Sequence, residues 1–90
     1  MLRRKSIIDP KTEIELLKRD TEGVLKEVTK ETEKAVRYST NIRFRNGSTA
    51  DIWLPKSVFK DDGELTFSGL VMLSGKIKDL EDQYGAEVVR

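Results

Sequence analysis

From Val36 to Phe44 the side chains alternate without a break. Val36, Tyr38, Thr40, Ile42 and Phe44 fall in one set, and Arg37, Ser39, Asn41 and Arg43 in the other. A period of two puts the sets on opposite faces of a half-buried strand. Asn46-Gly47 follows and signals a hairpin. A two-residue loop would pair Ile42 with Asp51 and bring charge into the core. A three-residue loop, Arg45-Asn46-Gly47, with Gly47 left-handed in a G1 bulge, pairs Ile42 with Ala50, Thr40 with Ile52 and Tyr38 with Leu54. The second register is the expectation. It sets Trp53 opposite Ser39 and Asp51 opposite Asn41, on the face that carries Arg37 and Arg43.

Upstream, Ile14, Leu16 and Leu17 make a narrow apolar stripe among Lys11, Glu13, Glu15, Lys18 and Arg19, as on an amphipathic helix. Asp9-Pro10 suits an N-cap and first helical position, Thr12 with Glu15 offers a capping box instead, and Gly23 is a natural stop. A helix over about 11–22 follows from these signals. Val24 to Lys30 is rich in β-branched residues and reads as a strand, although Val24 and Val28 also have helical spacing. Glu31 to Lys34 then turns the chain.

Downstream, Pro55 cannot donate to a ladder and marks a strand end or a sheet edge. Lys60-Asp61-Asp62-Gly63 is a further turn, and Leu65 alternating with Phe67 predicts another strand. Leu70, Leu73, Ile77, Leu80 and Tyr84 then recur by threes and fours, as on one continuous helix. A rival reading keeps Leu70 to Leu73 in the strand and starts a shorter helix capped by Ser74, because Gly75 weakens a helix interior. Both readings end the helix at Gly85 and leave a short tail with Val88 and Val89.

These elements predict an α+β fold: a small antiparallel β-sheet of three to four strands with an N-terminal amphipathic helix and a C-terminal helix, and a small barrel if the sheet curls. The predicted core is Ile14, Leu17, Val36, Tyr38, Ile42, Phe44, Ile52, Leu54, Phe67, Leu73, Ile77 and Leu80. Ninety residues, 37% of them hydrophobic, suit one modest core. No repeat or linker divides the chain, so one domain over 1–90 is expected, with 1–8 as a flexible basic tail.

Seventeen basic and sixteen acidic side chains give a net charge of +1. The balance is uneven, with +5 over residues 1–60 and −4 over 61–90. The chain has no cysteine and no histidine. That excludes disulfides, zinc fingers, iron–sulfur clusters, thiol nucleophiles, Ser-His triads and nearly all catalytic zinc sites. Cytoplasm is the expected location. No apolar run approaches the roughly 18 to 20 residues that cross a bilayer, and the basic start lacks the ~7 to 15-residue apolar core of a secretion signal.

Trp53 is the only tryptophan. Flanked by Arg37, Arg43 and Lys56, it could stack an unpaired base while the cations hold phosphates. Alternatively a helix covers this second sheet face, making Trp53 a core residue and the arginines surface charge, and the dominance of large aromatics in small cores favours that. A local cation–π contact without any ligand is a third option. Arg3-Arg4-Lys5 reads as a solvated tail. Asp79, Glu81, Asp82 and Glu87, like Asp61-Asp62-Gly63-Glu64, lack the ordered ligand spacing of a calcium loop. Ser68-Gly69 and Ser74-Gly75 lack the frame of a phosphate-binding loop.

Lys30-Glu31-Thr32-Glu33-Lys34-Ala35-Val36, followed by Ile52-Trp53-Leu54-Pro55-Lys56-Ser57, resembles a pattern in small uncharacterised proteins of bacteria, archaea, phages and plasmids. In those relatives an E-T-x-K-A-aliphatic segment precedes tryptophan, an aliphatic residue and P-K-S. The resemblance covers roughly a third of the chain. It implies a compact β-rich domain and a mobile-element origin, and no activity. This sequence departs from the pattern by a longer intervening strand, Tyr38 to Arg45, and by its N-terminal helix. Lys56 and Ser57, where the strand leaves the sheet, suit an anion contact; equally, Pro55 stops edge pairing and Ser57 caps a turn.

The leading functional expectation is a non-enzymatic binding module in which Arg37, Arg43, Arg45, Trp53 and Lys56 contact single-stranded nucleic acid. The alternative is a protein-interaction or self-associating accessory protein, a homodimer included, that packs Leu70, Leu73, Ile77, Leu80 and Tyr84 on a partner. No cofactor, metal or membrane is expected, and an enzyme built from carboxylates alone has no paired motif to support it.

Overall fold

The computed structural model describes residues 10–89. In chain order these form α1 (Pro10–Thr21), β1 (Leu25–Glu31), β2 (Ala35–Arg43), β3 (Thr49–Pro55), a 3₁₀ turn (Lys56–Val58), α2 (Phe67–Tyr84) and β4 (Glu87–Val88). The fold is α+β, as the pattern predicts. β2 is central, with β1 and β3 antiparallel on either side, and β4 extends the β1 side by pairing Val88 with Ile42 and Glu87 with Arg43. The sheet does not close into a barrel: three principal strands are too few to curl round a core, and α2 fills that place. The expected Asp9 cap, the basic tail and Arg3-Arg4-Lys5 lie outside the described residues.

α1 (Pro10–Thr21) is already helical at Pro10, so Thr12 lies inside the helix and does not cap it. Its end is closed by Gly23 at φ 72° and by the Thr21 hydroxyl, which donates to the Leu17 carbonyl at 2.8 Å. α1 packs chiefly on α2 rather than on the sheet. Ile14 and Leu17 are therefore only half-buried, outside the core in which they were expected.

The hairpin has the expected three-residue loop. Phe44 N–H donates to Ser48 O at 2.8 Å, Gly47 N–H donates to Phe44 O at 3.0 Å, and Gly47 sits at φ 91°. Beside the loop Arg43 faces Thr49, the expected register. Farther along, Ser39 faces Asp51, Tyr38 faces Ile52, Arg37 faces Trp53 and Val36 faces Leu54, two residues away from it. The slip arises because Thr40, Asn41 and Ile42 of β2 lie opposite Ala50 alone. The buried Thr40 hydroxyl bridges the gap, donating to Ala50 O at 2.7 Å and accepting from Ile42 N–H at 3.2 Å. An even slip keeps every side chain on its predicted face, so Ile42, Ala50, Ile52 and Leu54 all point inward.

α2 runs unbroken through Gly75, which excludes the reading with Leu70 to Leu73 as strand. Thr66 is its N-cap, accepting from Gly69 N–H at 3.1 Å, and Gly85 at φ 63° ends it. The strand expected at Leu65 and Phe67 reduces to a single bridge between Leu65 and Phe59. Phe67 opens the helix and is 44% exposed, so it is not a core residue. The expected C-terminal tail is strand β4, held by Val89 N–H donating to Asn41 O at 2.9 Å and Asn41 Nδ2 donating to Val89 O at 2.8 Å.

The core lies between the inner sheet face and α2: Val24, Ile42, Ala50, Ile52, Leu54, Val58, Leu73, Ile77 and Ala86. Val58 and Ala86 sit in connections rather than in periodic segments, which is why the pattern does not reveal them, and Val24, expected to open the first strand, lies in the turn just before β1.

Candidate functional site

Both helices lie on one side of the sheet, since α1 packs on α2. The expectation that a helix covers the second face is therefore overturned, and Trp53 stands on that face at 39% exposure. Arg37, directly opposite it, brings its Cζ to 5.8 Å from the ring centroid. Arg37 Nε also donates to Thr29 Oγ1 at 2.9 Å and lies 3.8 Å from Asp51 Oδ2. A local cation–π contact thus occupies the indole, held by strands on both sides of β2.

The other basic candidates do not join this cluster. Lys56 pairs with Glu31 at the far end of β2. Arg43 lies across the ladder from Glu87. Arg45 packs its guanidinium against Gly85, so closely that a Cβ there would come within 2.9 Å of Nε. That places the cation at the C-terminal, electronegative end of α2. Each of the four cations thus has an acidic group or a helix end beside it, and the strand face carries little uncompensated positive charge.

The stripe expected to meet a partner is turned onto the chain's own sheet. Leu70, Leu73 and Ile77 are buried and Leu80 is half-buried against the core, because α2 is what covers the inner face. Tyr84 alone points outward, 58% exposed, with its ring edge-on to Phe44 at 5.8 Å.

Tyr84 and Trp53 both line a groove of about 310 Å³ between β3 and α2, together with Asp51, Lys76, Asp79 and Gln83. Among the described residues, the groove runs beside an open sheet edge. Ala50 O accepts from Thr40, and Lys56 N–H donates to Lys34 O at 2.8 Å, both toward β2. Backbone direction alternates along a strand, so Asp51 and Trp53 aim their N–H and C=O groups away from the sheet. Pro55, at the same parity, has no N–H to leave unpaired.

The two sheet edges differ. β1 carries Lys26, Glu27, Lys30 and Glu31 and is interrupted by two register irregularities, features that deter further strand pairing. β3 has Asp51 as its one charge and runs in unbroken register from Asp51 to Pro55.

No protein-family model, curated protein or solved structure matches this chain. Among the described residues, no three acidic side chains group to hold a metal ion, and no helix is long and apolar enough to cross a membrane. A wider groove of about 760 Å³ lies beside the C-terminal end of α1, with Leu25, Tyr38, Phe59 and Leu65 among its lining residues and charges of both signs around them.

Lys76 and Gln83 escaped the sequence reading because the helical pattern marks them only as polar, and Asp79 entered it only within an acidic group that lacks metal-ligand spacing. The usable signal was the parity of Trp53 and Pro55, which follows once Pro55 is assigned to a free edge.

Proposed function

We propose that this chain is a non-enzymatic binding module that takes up an extended polypeptide segment along the free edge of β3. The observation that carries the reading is the coincidence of Asp51 and Trp53 backbone groups, which no strand pairs among the described residues, with two exposed aromatic rings, Trp53 and Tyr84, in one groove. Strand addition draws affinity from main-chain hydrogen bonds and selectivity from flanking side-chain pockets, and this edge offers both. A cytoplasmic setting fits a chain without cysteine.

Heptapeptides selected from a displayed random library supply the test. Bound peptides are expected to slow amide exchange at Asp51 and Trp53 and to lose affinity about tenfold or more when Trp53→Ala is combined with Tyr84→Ala. Peptides that leave those two amides unchanged would sink the proposal.

Single-stranded nucleic acid is the second reading, favoured by the uncovered outer face with Trp53 beside Arg37. The compensated charges weigh against it. Titration with mixed oligonucleotides at low and moderate salt separates the two. Binding that weakens with salt and is lost in Trp53→Ala with Arg43→Ala would assign the face to nucleic acid.

A further inference from the structure

We infer that the occupant of the β3 edge is a second copy of this chain, joined antiparallel about a two-fold axis at Ile52 to make one continuous sheet across two molecules. The inference rests on the strand-docking reading above and names its partner.

Charge complementarity carries it. Lys76 and Asp79 are three residues apart on α2, hence on one face of the helix, and both line the groove beside β3. Neither belongs to an ion pair among the described residues. A two-fold axis at Ile52 lets Asp51 and Trp53 exchange backbone hydrogen bonds with Trp53 and Asp51 of the second copy. It also turns the two α2 helices antiparallel, so that Lys76 of each copy meets Asp79 of the other. One cation and one anion placed in line beside the edge are complementary to themselves only under such a rotation, which is the condition for an isologous interface.

The asymmetry of the edges supplies the stop. With β3 consumed, each copy presents among the described residues only β1, which is charged and irregular, and the two-residue β4, so assembly closes at two copies instead of growing into a fibre. An interface of one short strand and one helix face belongs to the small class, below ~1,200 Å². Dissociation in the micromolar range is expected.

The test is sedimentation equilibrium from low micromolar to near-millimolar concentration, with circular dichroism to verify folding. The wild-type chain is expected to pass from monomer to dimer. Lys76→Glu alone and Asp79→Lys alone are each expected to weaken association by about tenfold or more, since each sets like charges against each other. Mixing the two single variants should restore a heterodimer, and the double variant should again form a homodimer. A wild-type chain that stays monomeric, a dimer indifferent to the single swaps, a mixture that fails to recover, or open-ended polymers would each overturn self-pairing. If a monomeric chain still binds selected peptides with protection at Asp51 and Trp53, strand docking stands for another partner; if it binds none, both fall.

Discussion

Arg37 stands directly across the β2–β3 ladder from Trp53, with its guanidinium carbon 5.8 Å from the centre of the indole ring. Its Nε hydrogen-bonds Thr29 on the other neighbouring strand, so one side chain ties the outer face of three strands together. The contact is partly exposed, with Arg37 and Asp51 side chains 34% and 45% accessible, and solvent limits what it contributes. Arg37→Ala is expected to lower stability by about 1 kcal/mol and to alter the emission of the folded state. Urea unfolding followed by tryptophan fluorescence checks both; an unchanged midpoint and spectrum would mean that ring and cation do not interact.

Thr40 is the hinge of the register slip. Thr40→Val keeps the volume but leaves Ile42 N–H and Ala50 C=O without the hydroxyl that serves both. A loss of about 1–3 kcal/mol is expected, with Thr40→Ser retaining most of the stability. Faster amide exchange at Ile42 in the valine variant would locate the damage.

Two glycines of α2 are expected to respond to alanine with opposite signs. Nothing lies within 4 Å of a Cβ at Gly75, so Gly75→Ala should stabilise by about 0.8–1 kcal/mol through helix propensity alone. A Cβ at Gly69 would come within 2.8 Å of both the Val58 carbonyl oxygen and Leu65 Cδ2. Leu65 can rotate, the carbonyl cannot, and Gly69→Ala should therefore destabilise despite the same propensity gain. Thermal unfolding should move the midpoint upward by several degrees for the first and downward for the second.

Burial along α2 sets a further contrast. Leu73 is 1% exposed and Val71 is 46% exposed. Leu73→Ala is expected to cost about 2–5 kcal/mol, and Val71→Ala should stay within about 0.5 kcal/mol of the parent. Denaturant titration of both variants checks the direction in which the stripe faces. Equal losses would mean that the outer side of α2 is also covered.

Much of the architecture was legible in local patterns. The alternation from Val36 to Phe44, Asn46-Gly47 at the hairpin and the spacing from Leu70 to Tyr84 each depend on residues a few positions apart, where backbone periodicity and turn chemistry act directly. Even the loop length followed from a local conflict, since an even loop would have set Asp51 against Ile42. Pro55 and Gly85 ended their elements for equally local reasons, a missing N–H and a left-handed backbone.

The tertiary structure alone decided the partner of Trp53, the direction of the α2 stripe and the strand at Val88. A two-residue slip at Thr40 leaves every side chain on its face, so hydrophobic patterning cannot detect it; the hydrogen bonds of the Thr40 hydroxyl to Ile42 and Ala50 and those of Asn41 to Val24 and Val89 hold it. An apolar stripe looks the same whether it meets the chain's own sheet or another molecule, and Val88 becomes a strand only because the chain returns it beside Asn41 and Ile42. These outcomes belong to contacts between distant segments. Competing arrangements there share one local pattern and differ only in packing and in which backbone groups find partners.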